Sequence, residues 1–238
     1  HWKYDKVTAK RQPGSTFKLF VYTEAMEQGL TPCDKRRDEY FSMKVWDPVK
    51  KEEVTWAPTN ANGYFTGDSM PLRAAFAQSI NSVAVRLGQE MGIKNIIETA
   101  HNMGIRSKLD EAPSLALGSC DVTLLELANS YCTVANNGNA HSDAILITKI
   151  VDRNGNEIYV APTEEKRAIT VKSAYLVQQL LQAGLRERGG TSMSLWGYIG
   201  KYPDTEFGGK TGTSNNHSDA WFMGVSPNLV VGAWVGGE

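Results

Sequence analysis

Apolar residues recur with helical spacing in six stretches of the chain, then give way near the C terminus to three short runs of strand length. Gln12-Pro13-Gly14 is a turn signal, and Ser15 follows it where a helix N-terminus is expected. Phe17, Phe20, Val21 and Ala25 fall on one face of that helix, and Gly29 and Pro32 end it. Residues 31 to 69 are polar and rich in turn formers, and read as a connecting region with a strand at Glu53-Val54-Thr55-Trp56. Pro71 suits the first position of a second helix that buries Leu72, Ala75 and Phe76. The pattern breaks at Ser79-Ile80-Asn81 and resumes at Val83, Val85 and Leu87; another helix covers Ile93 to Met103. Thr123 and Glu126 form a capping box for a helix with the stripe Leu124, Leu127, Ala128, Tyr131 and Ala135. Asn136-Asn137-Gly138 stops it.

Ile145 to Val151 is β-branched, and Asn154-Gly155 is a hairpin turn into Ile158-Tyr159-Val160. Ala174, Val177, Leu181 and Leu185 mark a sixth helix. Phe207 to Thr213, Ala220 to Val225 and Leu229 to Val235 then read as three strands of an antiparallel meander. Helices first and a sheet afterwards predict an α+β fold rather than a doubly wound parallel sheet.

With 238 residues, the chain is long enough for one large domain or two packed subdomains. Its 25 basic and 26 acidic side chains leave a formal charge of −1, which argues against a nucleic-acid or anionic-membrane partner. Lys35-Arg36-Arg37 is cut short by Asp38-Glu39 and reads as a solvated loop. Cys33, Cys120 and Cys132 have no paired spacing, and Cys132 reads as a small core residue. His1, His101, His141 and His217 lack metal-ligand spacing, so neither a metal nor a cofactor is indicated. No run approaches the ~18–20 apolar residues that cross a bilayer.

Three short elements carry candidate chemistry. Ser15-x-x-Lys18 is the only Ser-x-x-Lys in the chain. A serine at a helix start is ordinarily a cap. At i+3, however, the lysine amine lies one turn along the same face and can reach the serine hydroxyl. It can act as a base only if desolvation or a second cation keeps it neutral part of the time. Lys210-Thr211-Gly212 is also unique and sits in a predicted strand. There Lys210 is a candidate second cation, Thr211 and Thr213 offer hydroxyls to a carboxylate, and Gly212 permits close approach of a ligand. Ser-x-Asn occurs three times, at Ser79-Asn81, Ser214-Asn216 and Ser226-Asn228. Only the first lies between two predicted helices, where it can present a hydroxyl and an amide to a groove.

In this order the elements match the Ser-x-x-Lys, Ser-x-Asn and Lys-Thr-Gly signature of β-lactamases and penicillin-binding proteins. Arg11-Gln12-Pro13-Gly14-Ser15-Thr16-Phe17-Lys18 resembles the nucleophile segment of class A (bifunctional) penicillin-binding proteins. Lys210-Thr211-Gly212-Thr213-Ser214-Asn215 with Asp219-Ala220-Trp221-Phe222 resembles their third motif and next strand, and Leu115-Ala116-Leu117-Gly118 also fits. The resemblance implies a transpeptidase domain over residues 1–238, with a helical subdomain at about 31–140 and a sheet-bearing part at 1–30 and 141–238. It implies a penicillin-binding fold incomplete at both ends, an extracytoplasmic location, and membrane anchorage through parts of the full-length protein outside this segment.

The resemblance also implies roles. Ser15 would attack the penultimate D-Ala carbonyl of a D-Ala-D-Ala stem peptide, and Lys18 would take its proton. Ser79 would relay a proton to the leaving group, and Asn81 would hold the acyl amide and position Lys18. Lys210, Thr211, Gly212 and Thr213 would line the carboxylate site, and the backbone N–H groups of Ser15 and Thr213 would form the oxyanion hole. Partners would be peptidoglycan stem peptides and β-lactams. Two alternatives share these parts: a β-lactamase and a penicillin-sensing receptor domain. Against the first, the deacylating glutamate lies in a Glu-x-x-x-Asn loop, whereas Glu126 has Asn129 at a different spacing and reads as a helix cap.

Overall fold

The computed structural model describes residues 5–47, 49–141, 144–162, 164–202, 204–214 and 218–237. Its centre is helix α1 (Lys18–Glu27), which continues from a 3₁₀ turn at Gly14–Phe17. The apolar spacing predicts one buried face, yet every residue from Lys18 to Met26 is buried. Helices on several sides cover α1, so the polar residues between its apolar ones are enclosed as well. Thr23 bonds back to the Leu19 carbonyl, and Glu24 accepts a 2.6 Å bond from the Thr99 hydroxyl. Helix α2 (Leu72–Ala77) starts one residue later than expected, because Pro71 is extended and forms the N-cap. Helices α3 (Asn81–Met91), α4 (Ile93–Met103), α5 (Leu124–Ala135) and α6 (Val171–Arg186) follow. Of these, α3, α4 and α6 pack on α1.

Short strands punctuate the helices: β1 (Lys10–Arg11), β2 (Lys35–Arg37), β3 (Met43–Asp47), β4 (Glu52–Trp56) and β5 (Ser69–Pro71). Then come β6 (Val122–Thr123), β7 (Asn139–His141), β8 (Lys149–Val151), β9 (Glu157–Val160) and β10 (Glu165–Arg167). All pair antiparallel in twos: β1 with β6, β2 with β5, β3 with β4, β7 with β10 and β8 with β9. Residues 31 to 69 are therefore more ordered than a connector, since the β3–β4 hairpin falls in sequence between the paired strands β2 and β5, and Trp56 packs against the core. The Lys35–Glu39 cluster is not a solvated loop either. Arg36 pairs with Glu90, and Asp38 is 1% exposed. The strand expected over Ile145 to Val151 begins only at Lys149. Cys132 is half-buried rather than in the core.

The C-terminal meander matches expectation. Strands β11 (Gly208–Thr213), β12 (Asp219–Ser226) and β13 (Leu229–Gly236) lie side by side, with Thr213 opposite Ala220 and Trp221 opposite Trp234. Helices α5 and α6 cover one face of this sheet, and β11 also abuts the Gly14–Phe17 turn. The mixed layers are those of an α+β fold.

The capping box at α5 is formed as read. Glu126 accepts from Thr123 N at 3.0 Å, and Thr123 Oγ1 accepts from Glu126 N at 3.1 Å. The same carboxylate accepts from Arg106 N, Ser107 N and Ser107 Oγ at 2.7–2.9 Å. Burial works to raise its pKa, but the bonds from Thr123, Ser107 and Arg106 outweigh burial and hold it below the ordinary glutamate range. A carboxyl lowered on folding stabilises the protein fully above the unfolded value, and that gain is lost as the pH falls through the folded value. Glu126→Gln should therefore lose roughly 1 kcal/mol, or a few degrees in Tm, at neutral pH. The deficit should shrink in acid when thermal melts are compared across pH. A deficit independent of pH would contradict this.

Candidate active site

Two turns that regular secondary structure would not favour build the site. The first, Gly14–Phe17, is tightened by Thr16, whose N and Oγ1 both donate to the Pro13 carbonyl at 3.3 and 2.7 Å. The buried hydroxyl of Tyr131 donates to Thr16 O at 2.9 Å, and Trp221 Nε1 donates to Gln12 O at 2.8 Å. Ser15 is half-buried within this turn. The expected capping role is absent, because neither the 3₁₀ turn nor α1 has a side-chain cap. Among the described residues, the Ser15 hydroxyl makes no hydrogen bond.

The second turn joins α2 to α3. Ser79 N donates to Phe76 O at 3.1 Å and Ile80 N to Ala75 O at 2.9 Å, the two bonds of a Schellman motif. The left-handed position of that motif normally takes glycine, but here Ser79 adopts φ +58°. Such a conformation costs of order 1–3 kcal/mol and persists only where the surroundings over-determine it. The helix end was legible as a break in periodicity. The left-handed serine was not, because no glycine marks it.

These turns meet at two lysines. Lys18 is fully buried on α1 and donates to Ser79 O at 2.7 Å, Asn81 Oδ1 at 2.7 Å and Ser79 Oγ at 3.2 Å. Lys210, 1% exposed on β11, donates to Ser79 Oγ at 3.0 Å and to Thr211 O at 3.0 Å, with its amine 5.7 Å from the Phe76 ring centroid. Ser79 Oγ thus bridges the two amines. Burial pushes the Lys18 pKa well below the ordinary lysine value, and the Lys210 charge pushes it further. Burial alone brings Lys210 down to about 7. A protonated Lys18 has three donors for its three contacts. Neutral, it keeps two donors for the two 2.7 Å oxygens and has a lone pair free to accept a hydroxyl proton.

Strand β11 lies directly on the Ser15 turn. A Cβ on Gly212 would stand 2.5 Å from Pro13 O and 2.8 Å from Thr16 Cγ2. A Cβ on Gly14, where φ is +53°, would stand 2.3 Å from Thr213 O. The absent side chain of Gly212 lets β11 lie against the Ser15 turn. Thr213 is exposed, and its backbone lies beside Gly14, the residue before Ser15. Thr211 Oγ1 donates to Thr191 Oγ1 at 2.8 Å. Thr191, whose N–H is held by Ala77 O, belongs to the same wall and was missed because it lies in an irregular segment.

Of the three Ser-x-Asn segments, Ser79-Asn81 is the one placed against both lysines. Ser214 Oγ instead donates to Asp219 Oδ2 at 2.8 Å, closing the β11–β12 turn, and Asn216 lies outside the described residues. Ser226 and Asn228 sit in the β12–β13 turn. Next to the Ser15 turn is a groove of about 280 Å³ whose lining includes Gln12, Gly14, Trp56, Thr59, Asn81 and Thr213. No charged side chain lines it among the described residues.

The segments bearing Ser15, Lys18, Ser79 and Lys210 are thus brought together at one place in the fold. Residues 1–233 match the model of the penicillin binding protein transpeptidase domain, and the chain belongs to that family. It is 31% identical over 236 residues to penicillin-binding protein 2D of Bacillus subtilis, covering 98% of this chain and 33% of that protein. It is 34% identical over 239 residues to penicillin-binding protein 1A of Neisseria gonorrhoeae, covering 97% and 28%. The crystal structure of penicillin-binding protein 1A from Haemophilus influenzae superposes with a TM-score of 0.86 at 29% identity, over 98% of this chain and 39% of that one. The chain spans about a third of the length of the curated relatives it matches.

If the Lys210 charge depresses Lys18, then Lys210→Met should raise the Lys18 pKa. Side-chain ¹⁵N NMR of the lysines would show its titration moving to higher pH. An unmoved or lowered titration would contradict the coupling.

Proposed function

We propose that this domain is a serine D,D-transpeptidase that crosslinks peptidoglycan stem peptides. The observation that carries the reading is the convergence of two buried, pKa-lowered amines on one hydroxyl beside the Ser15 turn. Ser15 Oγ attacks the penultimate D-Ala carbonyl while Lys18, neutral, accepts its proton. The developing oxyanion takes hydrogen bonds from the backbone N–H groups of Ser15 and Thr213. Ser79, bonded to both amines, passes a proton to the departing D-Ala nitrogen as the C–N bond breaks. An amine of a second stem peptide then displaces Ser15 from the ester and returns the proton. Lys210, Thr211 and Thr213 bind the terminal carboxylate, and Asn81 holds the acyl amide as well as Lys18. β-Lactams acylate Ser15 as mimics of the donor. The M. tuberculosis protein PonA1, a fold relative with a TM-score of 0.77, has been solved with penicillin V.

The division into a helical part at about 31–140 and a sheet-bearing remainder fits this reading. Ser79 and Asn81 come from the former, and Ser15, Lys18 and Lys210 from the latter. An extracytoplasmic site of action, with anchorage by other parts of a longer protein, follows from the substrate. No helix among the described residues is long and apolar enough to cross a membrane.

A hydrolytic β-lactamase fits less well. Both carboxylate oxygens of Glu126 are occupied by the bonds described above, and the groove beside Ser15 has no carboxylate lining among the described residues. A penicillin adduct on this protein should therefore last for hours rather than turn over in seconds. Ser15→Ala should abolish covalent labelling by a fluorescent penicillin while thermal melting stays unchanged. Lys18→Ala should slow acylation by about 10²–10⁴-fold, the usual worth of a general base. Labelling that survives Ser15→Ala would overturn the nucleophile assignment.

A further inference from the structure

We infer that Asp38 and Asn60 are positioning residues for acylation: they hold the Ser79–Asn81 segment in the conformation that meets both lysines. The inference rests on the acyltransferase reading above. Neither residue hydrogen-bonds to Ser15, Lys18 or Lys210 among the described residues, so their effect passes through Asn81 and Ser82.

Helix α3 begins without a side-chain cap of its own, since Ile80 is its N-cap residue. The first N–H groups of a helix have no partner within it. Here the Asn60 amide oxygen fills that gap, accepting from Asn81 N at 2.9 Å and Ser82 N at 3.2 Å. Its amide nitrogen donates to Asp38 Oδ1 at 2.7 Å and Tyr64 O at 3.1 Å. All four hydrogen-bonding positions of a 4%-exposed asparagine are thus in use, and reversing the amide would break every one.

Asp38 sets the other end of this chain. Its carboxylate accepts from Asn60, from Ser82 Oγ at 2.6 Å and from Thr66 N at 2.9 Å. Burial acts to raise the Asp38 pKa, but these bonds outweigh it and hold the carboxyl below its ordinary range. Through Asn60 and Ser82, the anion is coupled to the N-terminal end of α3, where the helix favours negative charge.

The output falls on Asn81. Its backbone N–H is fixed by Asn60, and its side-chain Nδ2 donates to the carbonyl of the neighbouring Thr59 at 2.8 Å. With the nitrogen held there, Oδ1 faces Lys18. Ser79, two residues earlier, keeps its left-handed backbone between this clamp and the end of α2. Releasing the clamp removes one of the constraints that strain requires.

The test separates non-covalent affinity from the acylation step, using stopped-flow labelling of the intact protein with a fluorescent penicillin. Asn60→Ala should lower the first-order acylation constant by roughly 10–100-fold, as for ~1 Å misplacement of a reacting group, and change the non-covalent Kd far less. Asp38→Ala should behave similarly. Asp38→Asn keeps an acceptor oxygen for Asn60 and Ser82, so it should recover most of the lost rate. Ser107→Ala, which cuts a bond to Glu126 away from the lysines, should lower Tm and leave the acylation constant alone. A folded Asn60→Ala protein with the wild-type acylation constant, or a loss confined to Kd, would overturn the inference. Should Asn60→Ala not fold, Ser82→Ala, which cuts the bond to Asp38, decides: a lowered acylation constant supports the inference, and the wild-type constant sinks it. Failure of the wild-type protein to acylate would overturn the acyltransferase reading and this inference together.

Discussion

An amine buried in the middle of a protein is the constraint on which the rest of this structure depends. Lys18 sits on a helix enclosed on every side, where a charged ammonium is penalised and an unpartnered one is untenable. Its partners come from the α2–α3 turn: a backbone carbonyl, a hydroxyl and an amide oxygen. Lys210, brought in by β11, shares the same hydroxyl. Its fall from the ordinary 10.5 to about 7 corresponds to roughly 5 kcal/mol in favour of the neutral amine. Both amines are biased toward the neutral form relative to an exposed lysine.

Holding that pair requires the surrounding backbone to accept unusual positions. Ser79 occupies a left-handed site that a glycine would fill without strain. Gly14 and Gly212 allow the Ser15 turn and β11 to touch backbone to backbone. Tyr131 and Trp221, from α5 and β12, bond the carbonyls on either side of that turn. The Ser15 turn and the α2–α3 turn are therefore pinned by rigid elements rather than carried on free loops, the arrangement that preorganised chemistry demands.

Much of this was legible in the residues alone. The six helices, the terminal meander and the α5 capping box follow from periodicity, turn residues and a capping pattern that act locally. The Ser-x-x-Lys and Lys-Thr-Gly segments are distinctive enough to have pointed to the same chemistry. Long-range matters were not legible. The Asp38–Asn60–Ser82 cluster joins three distant parts of the chain, and Asp38 looked like one acidic end of a solvated charge run. The full burial of α1 depends on what packs around it, so its polar residues wrongly predicted an exposed face. The short strands β2 and β5 pair only with each other across more than thirty residues, and no period announces them. Gly212 carried the signal of close approach, and one neighbour it admits is the Ser15 turn.

Acylation of the Ser15 hydroxyl is the step on which the proposed chemistry turns. The most direct measurement is peptide mapping by tandem mass spectrometry after penicillin treatment of the folded protein. One penicilloyl adduct is expected, on the peptide bearing Ser15, placed on that residue by fragmentation. An adduct on Ser79, Ser119 or any other hydroxyl, with Ser15 unmodified, would contradict it.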